Sequence, residues 1–497
     1  MKDWLKLRQY THFSPKFDKG DKSYIRQYVR DSAGITKHRF YPLIHYTISE
    51  QTYRRGYDKD GIRDENRTSK SKKREIFYAN HLDAQVYAFY GHLLNTRLDA
   101  IYNSVAGMSD SVIAYRAIPY NSRRNKCTID FANEVFTHIR NSREDSLVAV
   151  CYDIKGFFDS LDHRLLKYRW LDVLGVRTLR QDHYNVYKSL VNYTHVDISD
   201  IIKEFPELKI KKYRYLRKRD VPCFCASVEE FRTRIVDKGL IRTSRAFTSL
   251  DESARMGIPQ GTPISAVLSN VYMIDFDKHM TSLCEDFGGL YRRYSDDILI
   301  VVKPQDIEVI EAQLLEHIKG RLKLSIQESK TQRLRVVRKE DGTHEISRFV
   351  NQEWRSGGVL SYLGFDYNGK VIRIRSKSLS NYYRSLKRLI RRKARYAYYD
   401  LRRNKRSGNQ DKDDWIYRHK IYRLHTHLGV KRKVIDGKVF WGNFISYTRN
   451  AAKIIGDDGI NDQVRKHWRI VHEHINRLEQ RYGLRRTPSR RNQNFEP

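Results

Sequence analysis

GLYRRYSDDILIVV, residues 289–302, decides the reading of this chain. Apolar residues on both sides of Tyr294-Ser295-Asp296-Asp297 predict two strands joined by a tight turn, with an acidic pair at its tip. A second acid stands in the same setting upstream. SLVAVCYDI (Ser146 to Ile154) is an apolar strand that delivers Asp153 to a turn opened by Gly156, within CYDIKGFFDSLDH (residues 151–163). Between these two lies GIPQGTPISAVLSN, residues 257–270, a Gly/Pro turn leading into the helical pattern ISAVLSNVYMIDFDKHM. A lone YxDD is weak evidence, but here it comes with flanking strands and a second strand-end acid. Three carboxylates placed on turns after apolar strands suit a pair of divalent cations. Such a pair activates a 3′-hydroxyl, stabilises a leaving pyrophosphate and clamps an in-line phosphoryl displacement. Asp153 and Asp296 are the expected metal ligands. Asp297 ligates less directly or orients the others, and the carbonyl of Ile154 is a further candidate. Hard oxygen donors with positions left for phosphate and water fit Mg²⁺, with Mn²⁺ as a substitute.

Composition narrows the partners. The 497-residue chain carries 95 Lys and Arg against 59 Asp and Glu, a formal charge of +36, and is 40% hydrophobic. It is long enough for two to four subdomains, and too apolar for global disorder. A field of this sign attracts polyanions and releases their counterions, so nucleic acid is the natural partner. A purely structural RNA binder fits the charge equally well. No apolar run approaches the roughly 18 residues of a membrane span, and MKDWLKLRQYTHFSPKF lacks the apolar core of a secretory signal. Cys127, Cys151, Cys223, Cys225 and Cys284 contain no CxxC pair, which favours free thiols in a reducing cytoplasm over disulfides or zinc.

Pattern divides the chain into three. Residues 1–75 read as a basic N-terminal extension ending in a mobile linker, GYDKDGIRDENRTSKSKKR (Gly56 to Arg74). Residues 76–370 alternate helix and strand: a helical stretch from Glu75 to Tyr102, the Asp153 strand, a charged insertion from Val196 to Arg255, the 289–302 hairpin, the amphipathic IEVIEAQLLEHIKGRL, and LKLSIQESKT as strand and turn. That order describes an α+β body with antiparallel strands carrying the acids. Residues 371–497 form a basic helical region. Between Val371 and Lys433 there are 21 Lys and Arg against four Asp, interleaved with Tyr382, Tyr383, Tyr396, Tyr398 and Tyr399. This suits a helix that tracks phosphates and stacks on bases. Val464, Trp468, Val471, Ile475 and Leu478 make a stripe for core packing or a protomer interface, and RRTPSRRNQNFEP reads as a disordered basic tail.

From Glu75 to Lys370 the motifs resemble, in order, those of a bacterial reverse transcriptase. They are YRAIPYNSRRNKCTIDFANEVF, DIKGFFDSLDH, GIPQGTPISAVLSN, YSDD, LKLSIQESKT and LSYLGFDYNG. The resemblance implies a right-hand polymerase of α+β class, with fingers and an antiparallel palm (76–370), an α-helical thumb and a C-terminal helical extension (371–497). It implies that Phe158 stacks under the incoming sugar and collides with a ribose 2′-hydroxyl, so deoxynucleotides are favoured. It places Gln260 against the nucleotide, with Gly257, Pro259 and Gly261 forming the loop beneath the nascent base pair. Lys330 would face the leaving group. Arg123, Arg124 and Lys126 are candidates to grip the triphosphate, Arg116 is a weaker one, and Leu363 with Gly364 would hold the primer end.

NKCTIDFANEVF, the charged insertion and the helical extension resemble the unknown-group, defence-associated clade, and within it type nine. That implies a bacterial cytoplasmic enzyme working in antiphage defence with dNTPs and an associated noncoding RNA template. Its product would be a repetitive or homopolymeric cDNA, the protein would be a homo-oligomer, and one tyrosine of the C-terminal region would prime synthesis. A retron- or group II intron-type enzyme, an RNA-binding scaffold with an inactive palm, and template-independent nucleotide addition are the competing readings.

Overall fold

The computed structural model describes residues 3–57, 63–209, 216, 221–244, 255–406, 415–427, 434–435, 438–439 and 442–484. They fall into two units, Met1–Arg116 with Val150–Thr331, and Ala117–Ala149 with Gln332–Pro497. The fold is α+β with antiparallel sheets, as the residue pattern predicts.

The first unit holds β1 (Leu43–Tyr57), β2 (Arg63–Tyr78), the last four residues of β3 (Ser146–Asp153), β4 (Thr194–Asp197), β5 (Arg242–Thr243), β6 (Leu290–Tyr294) and β7 (Asp297–Val302). One sheet runs β2-β1-β4-β5, and in another β3, β7 and β6 are consecutive neighbours. Ile298 to Val302 are all buried, as a strand covered on both faces requires. The helix Ser265–Asp286 packs against helices His163–Leu174 and His81–Ser104. It buries residues around its whole circumference, Leu268, Val271, Tyr272, Met273 and Phe276 among them, which marks a central helix rather than a surface one. One face of the β2-β1-β4-β5 sheet, with Ile44 and Val196, closes an apolar cluster with Phe13, Ile201, Phe205, Phe224 and Ile235.

Two expectations change here. The presumed linker Gly56–Arg74 is largely strand. β1 and β2 pair from Ile44↔Tyr78 through Glu50↔Lys72 to Tyr57↔Arg63, and residues 58–62 lie outside the described ones. The stretch has no apolar stripe to announce a strand, yet its backbone groups pair across the ribbon regardless of side chain. LKLSIQESKT is not a regular strand either. Ile326 makes a single bridge to Ile154, and Glu328–Lys330 form a 3₁₀ turn.

In the second unit, β8 (Gln332–Arg338), β9 (His344–Val350) and β10 (Glu353–Ser356) form an antiparallel meander. β11 (Leu360–Tyr362), β12 (Phe365–Tyr367) and β13 (Ile372–Ile374) form a smaller sheet. Leu363 and Gly364 make the two-residue turn between β11 and β12, both at positive φ, as a hairpin turn with matching twist demands. The 31-residue helix Ser376–Arg406 buries Leu386, Leu389, Ile390, Ala394 and Ala397 with Val471, Ile475 and Leu478 of the helix His467–Tyr482. The C-terminal stripe is therefore core. Of the tyrosines expected to stack on bases, Tyr396 and Tyr399 are exposed. Tyr382 is instead buried, donating to the His425 carbonyl at 2.6 Å. The tail read as disordered, 485–497, lies outside the described residues. None of the five cysteines, all among the described residues, is in a disulfide. Among the described residues no helix is long and apolar enough to cross a membrane.

Gly261 sits at φ 119°, and a Cβ there would stand 2.7 Å from the Phe77 carbonyl oxygen. Gly261→Ala should therefore destabilise the protein by about 1–3 kcal/mol, read as a lowered midpoint in urea unfolding.

Candidate active site

Asp153 ends β3, and Asp296 lies in the turn between β6 and β7. Because β3 and β7 are neighbours, the two acids come to adjacent strand ends, and the Ile154 N–H donates to the Asp296 carbonyl at 3.2 Å. Burial pushes the Asp296 carboxyl above the usual carboxylate range, and the negative charge of Asp153 pushes it further. A buried carboxyl beside a second negative charge marks a site short of positive charge. Part of that charge comes from Lys330, whose Nζ donates to Asp153 Oδ1 at 2.5 Å. Asp297 begins β7 and is exposed.

The backbone beneath Asp153 is pinned from the other side. The Gln327 N–H donates to the Asp153 carbonyl at 2.8 Å, and the Lys155 N–H to the Ser325 carbonyl at 2.8 Å. This bridge consumes the carbonyl of Asp153 but not that of Ile154, the one nominated as a ligand. Two hard carboxylates in mutual repulsion, with a lysine ammonium already drawn to one of them, fit a divalent cation. The three acids are nonetheless set more widely than a closed ligand cluster. Among the described residues, three donors all within 4.8 Å of one another occur only at His45, His195 and Asp197.

The Phe158 and Gln260 segments are also brought together. The Ile258 N–H donates to the Phe158 carbonyl at 2.9 Å, and the Gly257 N–H to the Leu161 carbonyl at 2.8 Å. A Cβ on Gly257 would stand 2.9 Å from the Asp159 carbonyl, so glycine is what permits the two loops to touch. Phe158 is half-buried, its ring 5.6 Å from that of Phe157. The Gln260 carbonyl accepts the Phe77 N–H at 2.9 Å, which ties the loop to β2.

Arg123, Arg124 and Lys126 belong to the second unit. Arg124 is engaged by both oxygens of Asp130 at 2.8 Å and lies over the Tyr120 ring, and Lys126 pairs with Glu134 at 2.7 Å. Arg116, in the first unit, is held by Asp99 and by the carbonyls of Ser109 and Val112. It is a structural guanidinium.

The support of the acidic turn escaped the sequence reading. Arg293 and Asp277 are fully buried, joined through Nε–Oδ1 at 2.6 Å and Nη2–Oδ2 at 2.5 Å. Arg293 Nη1 also donates to the Ser295 carbonyl at 3.0 Å, and Nη2 to Asn270 Oδ1 at 3.1 Å. Asn270 Nδ2 donates to the Ala114 carbonyl at 3.0 Å, and the Tyr291 hydroxyl to Asp277 at 2.7 Å. Next to Ala114, the Tyr115 hydroxyl donates to Ser295 Oγ at 3.1 Å, and both residues hold positive φ, 63° and 62°. Strain of this kind persists only where surroundings over-determine it. The available signal was the pair Arg292-Arg293 inside an otherwise apolar and aromatic strand, and an asparagine closing GIPQGTPISAVLSN.

No protein-family model matches this chain, and no curated protein matches it. Solved structures with some likeness to it include telomerases. The apo telomerase from Candida tropicalis is 10% identical over 92% of this chain and 65% of that one, with a TM-score of 0.39. The Candida albicans telomerase, in complex with a TWJ fragment of telomeric RNA, is 12% identical over 94% and 64%, with a TM-score of 0.37. This chain spans less than two thirds of their length. Likeness at that level assigns no residue a role, and the site's reading rests on the distances above.

Arg293→Leu would strand Asp277 as a buried charge and release the Ser295 carbonyl. A loss of about 3–5 kcal/mol is expected, measured by denaturant unfolding. Asp277→Asn with Arg293→Leu together should cost less than the sum of the two single changes.

Proposed function

We propose that this protein is an RNA-dependent DNA polymerase making cDNA from dNTPs. The observation that carries the reading is the meeting of Asp153 and Asp296 at adjacent strand ends, with Lys330 on Asp153 and a Phe158–Gln260 loop pair in the same unit. Asp153, Asp296 and Asp297, with the Ile154 carbonyl, would hold Mg²⁺ (Mn²⁺ as substitute). When bound, the metal supplies activation of the attacking hydroxyl and neutralisation of phosphate charge.

The chain's own residues do the rest. Lys330 neutralises or protonates the leaving pyrophosphate. The Phe158 ring excludes a 2′-hydroxyl, and Gln260 positions the nucleotide on a loop whose glycines let the backbone approach it. Arg123, Arg124 and Lys126 grip the triphosphate, Arg124 by exchanging its carboxylate partner for phosphate. The basic helix Ser376–Arg406 holds the template–product duplex through phosphates. The finer reading is a bacterial cytoplasmic enzyme of the defence-associated clade, copying an associated noncoding RNA as a homo-oligomer. A tyrosine of the C-terminal region serves as primer. If it does, protease digestion of the product leaves a peptide on the cDNA 5′ end; a bare 5′ end removes the protein-primed reading.

Asp296→Asn separates chemistry from folding. Extension with dNTPs should fall by at least roughly 100-fold, since even residues outside the ligand shell are worth about 10–100-fold, while RNA stays bound. The raised pKa of Asp296 means that the folded state holds its proton more tightly than the unfolded one. Stability is therefore lost as pH rises from about 3.9, the unperturbed carboxylate value, through the raised one. The Asn variant should melt about 2–4 °C above the wild type at pH 7 without divalent cation, and show no advantage at pH 3. Phe158→Ala should raise ribonucleotide incorporation relative to deoxynucleotide by about 10–200-fold, measured in single-nucleotide extension.

A further inference from the structure

The polar face of the β2-β1-β4-β5 sheet carries a cluster that the polymerase reading does not use. Residues paired across a sheet share a face. His45 of β1 pairs with Phe77 of β2 and Asp197 of β4, Thr47 pairs with Glu75, and His195 pairs with Arg242 of β5. Two imidazoles and two carboxylates thus stand together over three strands, while Ile44 and Val196 point into the apolar cluster behind.

We propose that His45, His195 and Asp197 form a zinc site, with Glu75 holding the His45 ring in place. The donor atoms of the three lie within 4.8 Å of one another. His195 Nδ1 is buried and has no hydrogen-bond partner, a cost that a metal bond removes. His45 Nδ1 faces Asp197 Oδ1, and its Nε2 stands 2.5 Å from Glu75 Oε2. A ligating histidine whose other ring nitrogen donates to a carboxylate is the usual outer-shell arrangement around zinc. Thr47 Oγ1 donates to the same Glu75 Oε2 at 2.7 Å, which holds that carboxylate oxygen against the His45 ring. Arg242 engages the other oxygen of Asp197 and also Asp200, which fixes the carboxylate's orientation and leaves Oδ1 toward the histidines.

The donor set chooses the metal. Two imidazoles with one carboxylate suit zinc, whereas magnesium takes oxygen ligands. Three protein ligands leave a fourth position for water or for a swing of Glu75. The competing arrangement needs no metal: a His45 imidazolium shared by Asp197 and Glu75. It leaves His195 Nδ1 without a partner, and zinc satisfies both rings at once.

The site has a structural consequence. The Phe77 ring stacks on His45 at 4.7 Å and meets His195 edge-on at 5.4 Å, and the Phe77 backbone holds the Gln260 carbonyl. Zinc here locks β1 to β4 beside Phe77, whose N–H holds the loop of Gln260 assigned to the nucleotide. That role rests on the polymerase reading; the metal site does not.

The test is the metal content of the full-length protein after chelator stripping and reconstitution with Zn²⁺. About one equivalent should remain after desalting, and Co²⁺ in its place should give visible ligand-field absorption of a four-coordinate site. His195→Ala and Asp197→Asn should lose both signals, and Glu75→Gln should weaken affinity by about 10–100-fold. Asp296→Asn should bind zinc like the wild type, so failure of the polymerase reading leaves this result intact. Circular dichroism checks that each variant is folded. Reconstituted wild type that retains no zinc, or retains as much as folded His195→Ala, overturns the proposal and leaves the imidazolium bridge. An equal response to Mg²⁺ does the same.

Discussion

A buried ion pair stands under the acidic turn, and the candidate site depends on it. Asp153 and Asp296 repel each other, and Ser295 holds a left-handed conformation that a serine avoids. Left alone, the turn would relax and the acids would part. Arg293 prevents this from within, since one guanidinium binds Asp277, Asn270 and the Ser295 carbonyl in a space closed to water. Burial works against the charge of Arg293, but Asp277 more than restores it and keeps the arginine protonated. Buried pairs seldom add net stability compared with apolar packing. What this one supplies is position, because it links the central helix, the 114–115 segment and the turn into one network.

A similar economy governs the loops around Phe158 and Gln260. Both are irregular, so their backbone groups need partners that a sheet would otherwise supply. They find them in each other and in Phe77, through contacts that only glycine at 257 and 261 allows. The same Phe77 presents its ring to the two histidines on the sheet's polar face. The Gln260 loop and the histidine cluster are thus opposite ends of one residue's contacts.

Much of this was legible in the residues. The 289–302 hairpin and the Asp153 strand carry dense apolar patterning, and the central helix follows its Gly/Pro turn where expected. These elements are fixed by burial, and burial writes itself into composition. The β1–β2 ribbon was not legible over Gly56–Arg74, because that stretch carries no apolar alternation, and backbone pairing is something no residue pattern reports. Lys330 on Asp153 could be nominated only by resemblance, since the two are 177 positions apart. Arg293 was hidden for the opposite reason: a charge in a buried strand contradicts the pattern, and only Asp277, 16 residues earlier, explains it. The tyrosines of the basic helix divided for the same cause, those on the inner stripe becoming core.

The helix Ser376–Arg406 has one further implication. Its inner stripe of Leu386, Leu389, Ile390, Ala394 and Ala397 is committed to packing, and Arg384, Arg388, Arg391, Arg392 and Arg395 are left outward. From Arg384 to Arg395 this ridge extends about 16 Å at ~1.5 Å per residue. Outward guanidiniums at such density read charge, not bases. Such a surface offers a polyanion charge without sequence, so any discrimination among polyanions would have to reside in other parts of the molecule.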